Sequence, residues 1–217
     1  MIEISQFTVK KLLVQEIRKE IICSNFQPGE RLPLRDLAAR FNVSTQPIRE
    51  ALSELEKEGL VTSEPRKGAI VTKLTAEDLT DIYEIRATLE AMATELAIPN
   101  LTNKTLNQLN DLVVEMNSHI GEIFESVELN TKFHMTLYQA SNRSHLCELI
   151  QALRHRTSHY LHAYIAGQDR MVLAQDEHLK IIAACQQKDA ETAKQLMREH
   201  VLKAGNGIID YINRKSA

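Results

Sequence analysis

The sequence predicts a mainly α-helical protein with two domains, and three observations indicate this. The 217 residues are 43% hydrophobic and 25% charged, with only 7 Gly and 5 Pro, which is typical of helix-rich globular chains. Apolar residues recur at helical spacing over most of the chain and alternate only between residues 60 and 71. Residues 1–74 hold 12 Lys and Arg against 10 Asp and Glu, whereas residues 75–217 hold 14 against 19. We therefore predict two domains, 1–74 and 75–217.

The composition also excludes several classes of protein. No apolar run approaches the roughly 20 residues that cross a bilayer, and the first residues lack the basic-then-apolar order of a secretory signal. Cys23, Cys147 and Cys185 are widely spaced and form no C-x-x-C pair, so neither a disulfide framework nor a cysteine zinc site is indicated. We expect a cytoplasmic protein with reduced thiols and no membrane partner.

Two helices are predicted at the start of the chain. From Val9 to Cys23, apolar residues at positions 12, 13, 17 and 21 follow the helical spacing, and the Pro28-Gly29 pair ends the pattern. The stretch LRDLAARF, residues 34–41, predicts a second helix. A short turn at Asn42 and Val43 then leads to a third helix.

The third helix is predicted from STQPIREALSELEKEGL, residues 44–60. Ser44 is a candidate N-cap, Pro47 falls in the first turn where its missing N–H costs little, and Gly59 is a candidate C-cap. The predicted buried stripe consists of Ile48, Ala51, Leu52 and Leu55. Four polar side chains are left facing outward: Thr45, Gln46, Arg49 and Ser53.

A two-stranded hairpin follows the third helix. The period changes from helical to alternating on either side of SEPRKG, residues 63–68, whose tip carries the adjacent cations Arg66 and Lys67. The order helix, helix, turn, helix, hairpin predicts a winged helix-turn-helix of three helices and a small β-wing.

The polar residues of this domain are of the types that read DNA. A helix-turn-helix places its second helix in the major groove, where Arg49 can bond guanine and Gln46 can bond adenine. Arg66 and Lys67 are expected to reach phosphate or the minor groove, and Arg35 is a further candidate contact. Taken singly, each is more often only a solvated surface residue, so the inference depends on their joint placement.

At these residues the sequence resembles a known family. The stretch PGERLPLRDLAARFNVSTQPIREALSELEKEGLVTSEPRKGAIV closely resembles the winged helix-turn-helix of GntR-type bacterial transcription regulators, over about residues 8–73. The resemblance implies that Arg35 and Arg49 contact DNA and that Gly68 lets the wing turn tightly. Thr45, after Ser44, stands where the family usually carries arginine, so the operator is expected to differ. The DNA-binding residues we predict are Arg35, Ser44, Thr45, Gln46, Arg49, Arg66, Lys67 and Gly68.

Residues 75–217 predict an all-α bundle of about six helices. Thr75 and Asp78 form an approximate capping box, and the helix that follows carries Arg86 on its apolar stripe. Arg86 is interpreted either as an ion-paired residue or as a guanidinium that binds a carboxylate. Gly205 and Gly207 are expected to fray or kink the last helix. The other predicted helices are Asn103 to His119, Ile123 to Ala140, His145 to Ile165, Met171 to Gln187 and Ala190 to Ile212.

Three histidines are predicted to converge in this bundle. Asn130 and His134 share one helical face, while His178 and His200 lie at similar distances from the short turn at Lys188. Three imidazoles suit zinc, nickel, cobalt or copper, and an added oxygen ligand extends the range to manganese or iron. A single helical histidine is nevertheless more often a core or surface residue.

A competing cluster lies on one predicted helix. His155, His159 and His162 share a helical face, but the flanking Arg154 and Arg156 would repel a cation. We interpret this cluster as a surface or a pocket lining.

The bundle also resembles a known domain, the FCD ligand-binding domain of the FadR subgroup of GntR regulators. The resemblance is carried by EIRATLE, by NTKFHMTLYQASN, by DEHLKIIAAC and by LMREHV. Many members hold a metal through an aspartate and three histidines, which implies metal ligands at His134, His178 and His200, with Asn130 at the aspartate position. A divalent ion, zinc first, with neutral ligands favours an anionic effector, so we expect a small carboxylate held by Arg86.

The function expected from these patterns is transcription regulation in a bacterial cytoplasm, on the nucleoid when DNA is bound. One winged helix covers a half-site, so a homodimer on an inverted-repeat operator is expected. The resemblance implies repression as the commoner mode. A metal-responsive regulator without organic effector stays open as an alternative. A metal-dependent hydrolase is disfavoured, since no H-E-x-x-H pattern occurs and Glu177 and Glu199 are expected to point away from their neighbouring histidines.

Overall fold

The chain forms two compact helical units, Met1–Leu74 and Thr75–Ala217, in a computed structural model that describes residues 6–119, 121–166 and 171–216. The predicted mainly α fold is confirmed. No helix in these described ranges is both long and apolar enough to cross a bilayer. Cys147 and Cys185 are buried thiols, and no disulfide occurs in the described chain.

The first unit has the order of a winged helix-turn-helix. Its elements are α1 (Gln6–Ile22), α2 (Leu34–Arg40), α3 (Thr45–Lys57), β1 (Val61–Glu64) and β2 (Gly68–Val71). The two strands pair antiparallel, with Val61 opposite Val71 and Glu64 opposite Gly68. The strand pair therefore forms a short wing directly after α3.

The core of this unit lies between α1 and α3. The predicted stripe of α3, which includes Ile48 and Leu55, is buried against Ile17 and Ile21 of α1. Leu12 differs from its expected place on the apolar stripe of α1, because 51% of its surface is exposed. Outside this core, Arg18 on α1 forms a bidentate ion pair with Glu58 at the end of α3, with nitrogen–oxygen distances of 2.6 and 3.1 Å.

The ends of α3 only partly follow the sequence prediction. Gly59 adopts a left-handed conformation with φ of 76°, as expected for a C-terminal cap. Ser44 does occupy the N-cap position with extended backbone, but its side chain makes no capping hydrogen bond, so that part of the prediction is wrong. The turn before α3 is made by Asn42, whose φ of 52° ends α2 while Val43 N donates to Ala38 O at 3.0 Å.

The second unit is a helical bundle in which α4 lies along α9. After α4 and a short 3₁₀ turn at Ile98–Asn100 the chain continues through five further helices. The helices are α4 (Ala76–Ala97), α5 (Asn103–Ser118), α6 (Ile123–Gln139), α7 (Ser144–Ala166), α8 (Met171–Gln186) and α9 (Ala190–Ser216). The predicted capping box is confirmed, since Asp78 N donates to Thr75 Oγ1 and Thr75 N donates to Asp78 Oδ2.

The two glycines of the last helix neither end nor kink it, since α9 continues to Ser216. Close packing against neighbouring helices explains why glycine occurs at both positions. A Cβ at Gly205 would lie 2.5 Å from Cγ of Tyr83 on α4, and a Cβ at Gly207 would overlap the hydroxyl of Tyr164 on α7. The expected fraying was therefore wrong, because the helix gains more from the close approach of its neighbours than it loses in propensity.

Candidate functional site

One concave surface of the first unit collects most of the predicted DNA-binding residues. Arg35 on α2, Thr45 and Arg49 on α3, and Lys67 and Gly68 at the wing all line it. These five come from three elements that are adjacent in sequence, which is why a local pattern could place them together. Ser44, Gln46 and Arg66 are not among its lining residues.

The concave surface carries exposed polar side chains from α2 and from the N-terminal end of α3. Arg35 and Arg49 have no ion-pair partner within the described residues, so their guanidinium groups are available to phosphate or base edges. Gln46 is exposed as well, but its Nε2 donates to Glu50 Oε1 at 2.8 Å. A base that used this amide would have to displace that hydrogen bond.

The wing tip contains two left-handed residues. Gly68 has φ of 78° and nothing within 4 Å of where a Cβ would stand, so its backbone conformation alone explains the glycine. Arg66 has φ of 69°, which nothing in the sequence indicated. Lys67 lies 2.5 Å from Glu64, an exposed pair that a phosphate would compete with.

In the second unit, His134 on α6, His178 on α8 and His200 on α9 meet in the interior. Their ring centroids are 4.7 to 5.2 Å apart, and one nitrogen from each lies within 4.8 Å of the others. His134 and His178 are each only 1% exposed. Three side chains separated by up to 66 positions therefore form one cluster, while their binding of a metal stays a prediction.

The outward nitrogens of two of these rings are held by hydrogen bonds. His134 Nδ1 lies 2.9 Å from the hydroxyl oxygen of Tyr138, which itself donates to Glu90. Since that hydroxyl proton is committed to Glu90, His134 Nδ1 must be the donor. His200 Nδ1 lies 2.8 Å from Glu177 Oε2 and donates to it in the same way. Both rings therefore keep their Nε2 lone pairs for another partner.

His178 is the unsatisfied member of the cluster. Both of its nitrogens are buried without a hydrogen-bond partner in the described part of the chain, and Phe133 packs on its ring at 4.3 Å. Burial holds the pKa of His178 and of His134 well below the ordinary histidine value, so both are neutral at neutral pH. Neutral, buried and unpaired imidazole nitrogen is what a metal ligand requires.

The geometry of the donor set fits a divalent ion. Nitrogens bound tetrahedrally to zinc lie about 3.3 Å apart, so a set already within 4.8 Å closes by small side-chain rotations. The histidines line a cavity of about 100 Å³, and Asn130 lines it one turn before His134. Since one water needs roughly 10 to 15 Å³ in this measure, the cavity holds more than a single ion. Asn130 as a fourth ligand stays a prediction.

A buried carboxylate that sequence reasoning missed lies beside the cluster. Glu90 on α4 is fully buried and accepts from Arg86 Nε at 2.8 Å, from Arg154 Nη1 at 2.9 Å and from the Tyr138 hydroxyl. Burial by itself raises the pKa of Glu90, but the two guanidinium groups outweigh it and lower the pKa. Glu90 is therefore charged, and through Tyr138 it fixes the orientation of His134.

Arg86 lines the cavity but already has protein partners. Its Nε donates to Glu90 and its Nη1 donates to Thr157 Oγ1 at 3.0 Å. Although burial lowers the pKa of Arg86, the charge of Glu90 raises it, so the guanidinium is charged. The ion-paired interpretation of Arg86 is thus correct in this structure, and its contact with an effector stays a prediction.

Glu177 was expected to point away from its neighbour His178, and the sequence did not predict its contact with the histidine of another helix. It accepts hydrogen bonds across the bundle from His200 and Lys203 on α9. Burial favours its neutral form, but these two donors outweigh burial and hold the pKa of Glu177 at about 2. The contact with His200 could not be predicted from spacing along one helix, because it depends on how α8 packs against α9.

The competing cluster on α7 is only partly at the surface, because His155 and His162 are half-buried while His159 lies in the interior. His159 is 3% exposed, and both of its nitrogens lack a partner among the described residues. Burial lowers its pKa to about 4. Arg154, expected to flank these histidines, is instead turned to Glu90 at the main cavity.

Comparison with known proteins finds one family match in each of the two units. Residues 10–71 match the model of the gntR family of bacterial regulatory proteins, and residues 81–203 match the FCD domain. The chain belongs to the gntR family, in the group with an FCD domain. It is a DNA-binding transcription regulator and not an enzyme.

Relatives of this GntR-family regulator align along most of its length. The uncharacterized HTH-type transcriptional regulator YdhC of Bacillus subtilis (strain 168) is 36% identical over 188 residues, covering 85% of this chain and 84% of YdhC. The HTH-type transcriptional repressor GlaR of Escherichia coli (strain K12) is 28% identical over 201 residues, 86% of this chain and 89% of GlaR. The solved structure of E. coli McbR/YncC superposes with a TM-score of 0.77 at 26% identity, covering 90% and 94% of the two chains.

Proposed function

We propose that this regulator is a homodimeric repressor whose operator affinity is set by a small carboxylate bound at a metal centre in the second unit. The single observation that supports this most is the buried cluster of His134, His178 and His200, in which two rings are oriented by protein hydrogen bonds and the third has no partner in the described chain. A core built only for stability would not leave such nitrogens unpaired.

The DNA-binding half of the proposal is supported by the concave surface of the first unit. Arg49 is proposed to read a base in the major groove, and Arg35 and Lys67 to contact phosphate. One such surface covers one half-site, so a two-fold dimer on an inverted repeat is proposed. The name of the relative GlaR supports repression as the direction of control.

The metal-binding half assigns a role to each residue of the cluster. His134, His178 and His200 would hold the ion through nitrogen, and Asn130 would add its amide oxygen. Zinc is proposed first, with nickel or manganese as alternatives. When bound, the ion supplies a positive charge and an open coordination position for an anionic donor.

The effector is proposed to be a small carboxylate because of the size and charge of the cavity. Its volume of about 100 Å³ excludes a large ligand, and Arg86, Arg154 and Lys203 all line it. Such an acid can change operator affinity only if it binds the DNA-competent and DNA-incompetent states with different affinity.

Elemental analysis of protein purified without a chelator or a nickel column tests the metal centre. We expect about one ion per chain in the wild type, as three protein ligands hold a single ion. The variant His134→Ala should lose it, and His145→Ala, at an exposed position on α7, should keep it. A wild type without metal, even after incubation with zinc, would refute this half of the proposal.

A measurement of operator release then distinguishes a regulator that responds to a carboxylate effector from one that responds to metal alone. A duplex selected from random sequence serves as the operator, and its binding is followed by fluorescence anisotropy. We expect the metal-loaded protein to hold the duplex until a small carboxylate is added. Release by zinc alone would instead favour a metal-responsive regulator without an organic effector.

A further inference from the structure

The cavity of the second unit holds more buried positive charge than buried negative charge. Arg86 and Arg154 are 5% and 6% exposed, and among the residues that the structure describes the one carboxylate that pairs with both is Glu90. At the other end of the cavity Glu177 already pairs with Lys203. A buried charge without a counter-charge is costly, so one guanidinium of this arrangement needs an anion.

The two arginines differ in how well the protein satisfies them. Arg86 donates to Glu90 and to Thr157, and its guanidinium carbon lies 4.6 Å from the ring centre of Tyr83. Arg154 donates to Glu90 through Nη1, but its Nε is buried and has no partner within the described ranges. A guanidinium with an unmet donor beside a cavity is poised for a carboxylate, which it can bind through two nitrogens.

Resting on the proposed carboxylate effector, we infer that Arg154 is the residue that binds the effector anion, while Arg86 chiefly holds Glu90 in place. Arg154 lines the same cavity as the three histidines, so one ligand can reach both. The ligand class that fits is a small acid with one carboxylate for Arg154 and a second oxygen donor at the histidine end. Short dicarboxylates and hydroxy acids belong to this class.

Calorimetric titration and thermal melting with acetate, malonate, succinate and citrate test this inference, on zinc-loaded full-length protein and on protein treated with a chelator. We expect Arg154→Gln to weaken the best of these acids by about tenfold or more, which corresponds to about 1.4 kcal/mol. Its zinc content should equal that of the wild type. Arg156→Gln, a matched change two residues later on α7, does not alter the lining of the cavity and should bind like the wild type.

The melting temperature without acid distinguishes binding from a merely structural role. Glu90 keeps Arg86 as a partner in Arg154→Gln, so the acid-free protein should melt at or above the wild-type temperature. A lower acid-free melting temperature with unchanged acid affinity would overturn the inference. If this variant does not fold, Arg154→Lys keeps a charge beside Glu90 without the Nε donor, and we expect about threefold weaker binding, whereas unchanged binding would overturn the inference.

The controls separate failure of the inference from failure of the proposed function. If an acid binds the wild type and Arg154→Gln equally well, only the role of Arg154 is wrong. If none of the four acids binds the wild type with or without zinc, the carboxylate effector is wrong, and the role of Arg154 falls with it.

Discussion

The concave surface of the first unit is assembled from residues between Leu32 and Ala69, whereas the cavity of the second unit is assembled from residues between Tyr83 and Ala204. In the first, neighbours in space are also neighbours in sequence. In the second, α4, α6, α7, α8 and α9 each contribute side chains that meet only when the bundle has formed. Local patterns can therefore define the first site but only part of the second.

The two sites also differ in charge and burial. The arginines of the concave surface are exposed, while those of the cavity are buried around Glu90. All eight histidines of the chain lie in residues 75–217. Substitutions in the first site should therefore alter binding with little loss of stability, and substitutions in the second should alter stability and its dependence on pH.

The largest expected effect is on stability, from Glu90→Gln. The change removes the carboxylate that Arg86 and Arg154 share, and uncompensated buried charge costs about 3–5 kcal/mol. Urea denaturation should give this loss in the free energy of unfolding of the second unit. Glu95→Gln, on the same helix but partly exposed, should change it by less than about 1 kcal/mol. Equal losses in the two variants would contradict the buried network.

The next effect is on DNA binding, from Arg49→Ala. Loss of a base contact should weaken operator binding by about 1–3 kcal/mol and relax discrimination at one base pair. Lys67→Ala should instead weaken all sequences alike and reduce the salt dependence of binding by about one counterion. Both are measured by anisotropy at several salt concentrations, and Lys57→Ala at the far end of α3 serves as the control. Weaker DNA binding together with a loss in the free energy of unfolding would contradict the expected difference between the two units.

A smaller effect concerns acid sensitivity and His159. The pKa of this buried histidine is about 4 in the folded state, against about 6.5 when unfolded. The unfolded chain therefore takes up the proton first, and stability falls by about 1.4 kcal/mol per pH unit from about pH 6.5 down to about pH 4. His159→Phe should lessen the loss by about 2 kcal/mol at pH 5. Unfolding of the wild type, His159→Phe and the exposed variant His145→Gln at pH 7.5 and 5 tests this, and equal slopes in all three would refute it.

The smallest effect compares the two helix starts. Thr75→Ala removes a complete capping box at α4 and should cost about 1 kcal/mol. Ser44→Ala removes no capping hydrogen bond at α3, so it should cost less than about 0.5 kcal/mol. Thermal unfolding of the two variants ranks these costs, and the reverse order would mean that the Ser44 hydroxyl does cap α3 in solution.

These differences explain how much the sequence could predict. The wing, the helix-turn-helix, the capping box at Thr75 and the convergence of three histidines follow from period, turn residues and spacing along the chain. The hydrogen-bond partners of those histidines cannot be predicted from these patterns. Glu90 lies on an apolar stripe where a carboxylate is improbable by composition alone, and Glu177 acts across to another helix. Such contacts depend on helix rotation and register, which no local pattern specifies.

The contact between Gly207 and Tyr164 has a consequence for the choice of ligand. Tyr164 lines the cavity, and its hydroxyl end occupies the space where a side chain at position 207 would stand. A larger residue at position 207 would have to displace Tyr164, and such a shift would change the shape of the cavity that Tyr164 lines. Selection on the size of a ligand in this cavity can thus act at position 207, which does not line the cavity, and a library randomised there would vary the room for a ligand without changing the charged groups.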